Sequence, residues 1–204
     1  HFNPEYSDAI RSLQRESSVT LVLSDITFLP PPPGVPFKGV NARFRYLNHV
    51  TLVGPDGNVM GDYTKIMRLP FAEYLPLEQT LMRLKEKWPK LGFAHAFLRK
   101  IFPETRSVGK GTGKRILYFP QGRFAAPICY EMIFEDLIRD FVKEGAQFMV
   151  NGVNDEWFRS EMQKEQHLMS GMLRGIENRV PIVRATNSGI SAIVDARGVI
   201  LPGH

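Results

Sequence analysis

Short apolar runs alternate along this chain with helix-patterned stretches, and that alternation limits the folds open to it. Residues 19–23, 46–53, 58–63, 115–119, 123–128, 147–153, 181–185 and 191–194 read as strands, several rich in Val and Ile. Between them, residues 4–17, 134–144 and 165–178 repeat apolar side chains at helical spacing. Strands interleaved with helices bury their faces as an α/β protein. Gly54-Pro55-Asp56-Gly57 is a tight turn that makes 46–53 and 58–63 a hairpin, and Pro30-Pro31-Pro32-Pro33-Gly34 reads as a loop. Residues 77–102 form one or two helices leaving the core, interrupted at Trp88-Pro89 and Gly92, so a single domain over 1–204 with a helical excursion at about 77–113 is expected.

At 204 residues, 43% hydrophobic and 23% charged, the chain has the composition of a folded globular domain rather than a disordered tail. Its net charge of +5 and pI near 9.4 suit an anionic partner, lipid headgroup or nucleic acid. The single cysteine excludes an intramolecular disulfide and a multi-Cys metal site. The five histidines (His1, His49, His95, His167, His204) show no metal-ligand spacing, so no metal and no cofactor is expected. No apolar run has the length of a membrane span, no signal peptide opens the chain, and residue 1 is His, which together suggest a piece of a longer protein. The stretch from Gly109 to Lys114 is glycine- and lysine-rich, but Arg115 stands where a phosphate loop needs Ser or Thr and a strand follows. It reads as a basic loop, and nucleic-acid binding is set aside.

Three segments carry possible chemistry. Cys129 closes the apolar run Ala125-Ala126-Pro127-Ile128 and precedes a helix-patterned stretch, where a thiol is presented at a strand end and a helix N-terminus favours thiolate; the alternative is a buried structural cysteine. Lys65 follows the hairpin and Glu73 lies eight residues on. A lysine near a thiolate holds an oxyanion and a glutamate takes a proton; taken alone, though, the pair reads rather as a solvated lysine and a turn-capping glutamate. The segment from Asn151 to Phe158, with Asn154, Asp155 and the aromatics Trp157 and Phe158, closes the strand at 147–153, where α/β proteins place ligands, or else caps a helix with packing aromatics.

Taken together, the segments GPDGNVMGDYTKIMRLPFAEYLPL, APICYEMIFEDLIRDFVKEGAQFMVNGVNDEWF and QHLMSGMLRGIENRVPIVRATNSGISAIVDARGVIL resemble the nitrilase (carbon–nitrogen hydrolase) superfamily, over roughly residues 40–80 and 115–204. Pro-Phe-Ala-Glu-Tyr-Leu-Pro-Leu after the lysine, Cys-Tyr-Glu at the cysteine and Arg184 to Gly189 are similar to its apolipoprotein N-acyltransferase branch. The resemblance implies a nitrilase-like α-β-β-α sandwich, incomplete at both ends. It implies Cys129 as nucleophile, Lys65 as catalytic lysine, Glu73 and Glu131 as further required acids, and Tyr130, Trp157 and Asn154 around the substrate. The family's general-base glutamate has no match here; it is expected upstream of His1, with Asp25 as the alternative. Ala72 and Arg159 stand where the family usually has glycine.

The activity so implied moves a fatty acyl chain from phospholipid, through a cysteine thioester, to the N-terminal amine of a diacylglyceryl-cysteine apolipoprotein. It places the domain on the periplasmic side of a bacterial inner membrane, at the membrane surface, without nucleic acid. Phe93, Phe97, Leu98, Ile101 and Phe102, with Arg99 and Lys100, would suit an arm resting on lipid. The rival readings are a soluble amidase or nitrilase with water as acceptor, and a catalytically incomplete nitrilase-fold binding protein.

Overall fold

In the computed structural model, residues 4–29, 45–89, 92–102, 108–156 and 160–202 are described. The proline loop at 30–34 and Trp157 lie outside them. Elements follow in the order α1 (Pro4–Ser17), β1 (Leu21–Leu29), β2 (Arg45–Val53), β3 (Val59–Thr64), α2 (Glu78–Lys87), α3 (Gly92–Ile101), β4 (Leu117–Phe119), β5 (Gly122–Ala125), a 3-10 turn (Cys129–Ile133), α4 (Glu135–Lys143), β6 (Phe148–Val153), α5 (Glu161–Asn178), β7 (Ile182–Thr186) and β8 (Ala192–Val194).

Two sheets carry these strands. One has the order β1-β2-β3 and the other β4-β5-β6-β7-β8. The expected hairpin is β2 antiparallel to β3, with Gly57 donating to the Gly54 carbonyl (2.9 Å) and Asp56 accepting from the Asn58 amide (3.0 Å). In the larger sheet β5, β6 and β7 run parallel, and β4 and β8 flank them antiparallel. Parallel neighbours require crossovers, which α4 and α5 provide.

The chain divides into two compact units. One comprises His1–Thr27, Asn48–Ile66 and Gly111–His204, the other Phe28–Leu47 and Met67–Lys110. In the first, the two sheets meet face to face. A Cβ at Gly152 of β6 would stand 2.7 Å from the Ser24 Cβ of β1, so only a glycine admits that approach. Strand alternation then sends Met149 and Asn151 to the opposite face, and the register Met149↔Ile182, Asn151↔Arg184 puts Ile182 and Arg184 beside them. Helix α5 covers that side, with Leu168 in the core beside Met149 and Ile182. The same core joins Val50 and Leu52 of β2, Tyr63 of β3, Phe124 of β5 and Ile138 and Phe141 of α4. Each fully buried aromatic or aliphatic chain there contributes about 1.5–3 kcal/mol. This is the expected α/β sandwich.

Several boundaries differ from the periodicity. Helix α5 begins four residues before 165, because Ser160 caps it by accepting from the Gln163 amide (3.3 Å). Strand β1 runs to Leu29, well beyond residue 23. The helical pattern read over 77–102 is two helices, α2 and α3, both in the second unit. Helix α3 has no buried residue, leaving Phe93 and Phe97 72% and 60% exposed along one side, with Arg99 and Lys100 in its last turn. Among the described residues, no helix is long and apolar enough to cross a membrane.

Candidate active site

Phe124 through Ile128 are buried, and the chain turns as soon as that apolar run ends. Cys129 makes the turn with φ +51°, in the left-handed region that costs a non-glycine residue roughly 1–2 kcal/mol. Its side chain is half-buried, and Sγ lies 4.0 Å from the carbonyl oxygen of Asn154. The residues after it form a single 3-10 turn, and α4 begins only at Glu135. The helix expected over 134–144 is α4, and its N-terminus stands six residues past the thiol rather than at it, because Phe134 adopts extended backbone between the 3-10 turn and the helix.

Glu131 is fully buried, and both carboxylate oxygens accept hydrogen bonds. Oε1 accepts from the Ile66 amide (2.8 Å) and the Tyr63 hydroxyl (2.9 Å), and Oε2 from the Ile128 amide (2.8 Å) and the same hydroxyl (3.0 Å). One carboxylate thus joins the residue after Lys65 to the residue before Cys129. Burial first, and then the charge of Glu131, raises the Tyr63 phenol far above its ordinary value, so it stays a donor.

Lys65 lies just past β3 with its side chain 1% exposed, which rules out the solvated reading. Its main chain is held on both sides. The Lys65 amide donates to the Asn48 carbonyl (2.9 Å), and its carbonyl accepts from the Gly111 amide (2.7 Å). A Cβ at Gly111 would stand 2.2 Å from the Thr64 carbonyl oxygen. The glycine-rich stretch there serves close backbone packing beside Lys65.

The other residues singled out from sequence are placed as follows. Tyr130 is half-buried, its ring 5.1 Å from that of His167. Asn154 accepts through Oδ1 from the Asn187 side chain (2.9 Å) and the Glu156 amide (3.1 Å). Glu73 belongs to the second unit, where its Oε2 accepts from the Leu69 amide (2.8 Å) and its carbonyl from the Val108 amide (2.8 Å). Asp25 is exposed on β1, and its Oδ1 accepts from the next amide, Ile26 (2.6 Å). Trp157 is outside the described residues, which include no cluster of His, Cys, Asp and Glu suited to a metal ion.

Sequence reasoning missed a buried polar network beneath Cys129. Asp155 accepts from the Arg184 guanidinium (Nη2 to Oδ2, 2.8 Å) and pairs with His167 Nδ1 (2.8 Å). Arg184 Nη1 donates to Asn151 Oδ1 (2.9 Å), and Asn151 Nδ2 donates to the Pro127 carbonyl (2.8 Å). Asn151 and Arg184 each interrupt an apolar strand with a polar side chain, and that was the available signal.

Burial, and after it the charge of Arg184, holds His167 below its ordinary value of 6.5, against the upward pull of Asp155 and the Cys129 main chain. The unfolded chain therefore takes up a proton near pH 6.5 that the folded chain refuses, and stability falls as pH drops below that value. Thermal melts from pH 7 to pH 5 should show this decline, and His167→Gln should flatten it.

Comparison with known proteins adds the family. The carbon-nitrogen hydrolase profile matches residues 9–204. An apolipoprotein N-acyltransferase of Geobacter metallireducens is 34% identical over 97% of this chain and 33% of its own length. One of Bdellovibrio bacteriovorus is 37% identical over 76% of this chain and 26% of its own. The chain thus spans about a third or less of the length of these curated relatives. Among solved structures, a carbon-nitrogen hydrolase from Helicobacter pylori superposes with a TM-score of 0.60 at 15% identity, covering 97% of this chain and 61% of that one. An amidase from Nesterenkonia sp. gives 0.58 at 16% identity, again covering 97% and 61%. These likenesses bear out the nitrilase-like fold. A profile that spans nearly the whole sandwich, including the strand end that carries Cys129 and the buried Lys65, leaves one assignment: the chain belongs to the carbon-nitrogen hydrolase family.

Proposed function

We propose that this chain carries the acyl-transfer chemistry of apolipoprotein N-acylation, with Cys129 as nucleophile and Lys65 as oxyanion partner. The observation that carries this reading is the Glu131 carboxylate, which ties the Lys65 and Cys129 segments to one rigid point. Similarity to apolipoprotein N-acyltransferases over 97% and 76% of the chain supports the choice of branch.

In this reading a carboxylate removes the thiol proton, and the thiolate attacks the ester carbonyl of a phospholipid. Lys65 and a main-chain N–H beyond Cys129 stabilise the tetrahedral oxyanion. The oxyanion collapses, the carbon–oxygen bond breaks, and lysophospholipid leaves with a proton. The amino group of a diacylglyceryl-cysteine then attacks the thioester, the carbon–sulfur bond breaks, and the amide forms as the carboxylate takes the amine's proton and the thiolate is returned. Water must stay out, or the thioester hydrolyses. Glu73 is the second required acid, Glu131 acts through the segments it holds, and Tyr130 and Asn154 line the substrate's path; Trp157 is assigned to substrate binding by the family resemblance alone. The exposed phenylalanines of α3, with Arg99 and Lys100, give the domain a face for the anionic surface of a bacterial inner membrane, on the periplasmic side.

The test is intact mass spectrometry of the full-length protein after incubation with phospholipid. A mass gain of one acyl chain on Cys129, discharged by a diacylglyceryl-cysteine peptide, is expected. Rapid turnover of simple amides with no lipid adduct would replace this reading with the hydrolase. Lys65→Ala should slow adduct formation about 10²–10³-fold.

A further inference from the structure

The network beneath the nucleophile asks for an explanation, because it is an expensive way to fill space. Asn151 and Asp155 are 0% exposed, and His167 and Arg184 are 3% exposed. Taking an Arg–Asp pair out of water costs several kcal/mol per ion, and apolar replacements of similar volume are often as stable. Stability alone is a weak reason for such a pair. Its outward end, however, converges on one turn of main chain.

Arg184 spreads its fork over three acceptors: Asn151 Oδ1 (2.9 Å), Asp155 Oδ2 (2.8 Å) and the Ile190 carbonyl (Nε, 3.3 Å). The guanidinium has only donors, so the oxygen end of the Asn151 amide must face it. The NH2 end is thereby aimed away, and it donates to the carbonyls of Pro127 (2.8 Å) and Cys129 (3.3 Å), on both sides of Ile128. Asp155 holds His167 at 2.8 Å, and the His167 ring contacts the Cys129 main chain and lies 5.1 Å from the Tyr130 ring. Glu131 grips the same loop from its N–H side, at Ile128. The residue so enclosed has φ +51°, a conformation that persists only when its surroundings impose it.

We propose that Asn151, oriented by Arg184 and Asp155, is the positioning residue that holds Cys129 in its left-handed conformation and so aims its thiol at the acyl carbonyl. This rests on Cys129 being the nucleophile. None of the four side chains reaches solvent, so none meets substrate, and their effect falls on the chemical step rather than on binding.

Two variants of the full-length protein test it. Arg184→Lys keeps the charge and loses the fork; Asn151→Ala removes the amide and leaves the Arg184–Asp155 pair in place. Each is measured well below its melting temperature, with circular dichroism confirming the fold. The expected result is a fall of about tenfold or more in the rate of Cys129 alkylation by iodoacetamide. The kcat of acyl transfer should fall in parallel while KM for phospholipid stays unchanged. Should Arg184→Lys fail to fold, Asn151→Ala alone decides. Folded variants that melt lower but alkylate and turn over at the wild-type rate would overturn the positioning role. A wild-type Cys129 that neither alkylates nor accepts an acyl chain would instead overturn the nucleophile reading itself.

Discussion

Cys129→Ala should yield a folded protein that forms no acyl adduct and transfers no acyl chain. In the proposed mechanism the thiolate supplies the bond in which the acyl group is stored, and alanine offers no atom in its place, so the loss should reach at least about 10³-fold, down to background. Stability should hardly move. Sγ is half-buried, and its contact with the Asn154 carbonyl, at 4.0 Å, is weak. The change should cost about 1 kcal/mol or less, a shift of at most about 2–4 °C in a chain of this size. Cys129→Gly sharpens the test, since glycine adopts φ +51° without penalty. It should melt at or above the Cys129→Ala temperature and be equally inactive. Intact mass spectrometry after phospholipid incubation, beside a thermal melt, reads both outcomes. Acyl transfer surviving in either variant would remove the thioester mechanism.

Glu131→Ala should give the largest loss of stability of any single change in the site. It strands the Tyr63 hydroxyl and the Ile66 and Ile128 amides. Each donor left buried without an acceptor costs about 1–3 kcal/mol, so the three together cost on the order of 3–9 kcal/mol. That is a large share of the stability of an ordinary domain. Glu131→Gln keeps one oxygen but turns an NH2 toward donors, and should cost roughly half as much. In the folded fraction, hydrogen exchange at Ile66 and Ile128 should rise together, because the same carboxylate protects both amides. Acyl-adduct formation should fall with it, as the Lys65 and Cys129 segments lose their common anchor. An Ile66 amide that stays protected while Ile128 exchanges would show that the two segments are held separately.

Much of the fold was legible from local pattern. Helix α1 occupies the residues its spacing indicates, and the β2–β3 hairpin follows from Gly54 to Gly57, because turn chemistry and periodicity act over a few residues. The start of α5 was not, since a serine cap outweighed the apolar spacing. Helix α4 lies where the spacing over 134–144 indicates, but the 3-10 turn at Cys129–Ile133 before it was not legible, because a 3-10 turn and an α-helix share residue preferences and differ in hydrogen-bond register.

By itself the sequence determined the alternation of strands and helices, the family, and the identity of the cysteine and lysine worth watching, because these depend on residue type and short spacing. Only the tertiary structure decided what those residues experience. Lys65 reads as solvated until β3 is packed beneath a second sheet, and Glu131 reads as an acid near a thiol until donors 65 and 68 residues away reach it. Asn151, Asp155, His167 and Arg184 look unrelated until parallel pairing of β6 with β7 and the packing of α5 bring them together. Burial and hydrogen-bond partners are set by residues distant along the chain, and no local pattern encodes them.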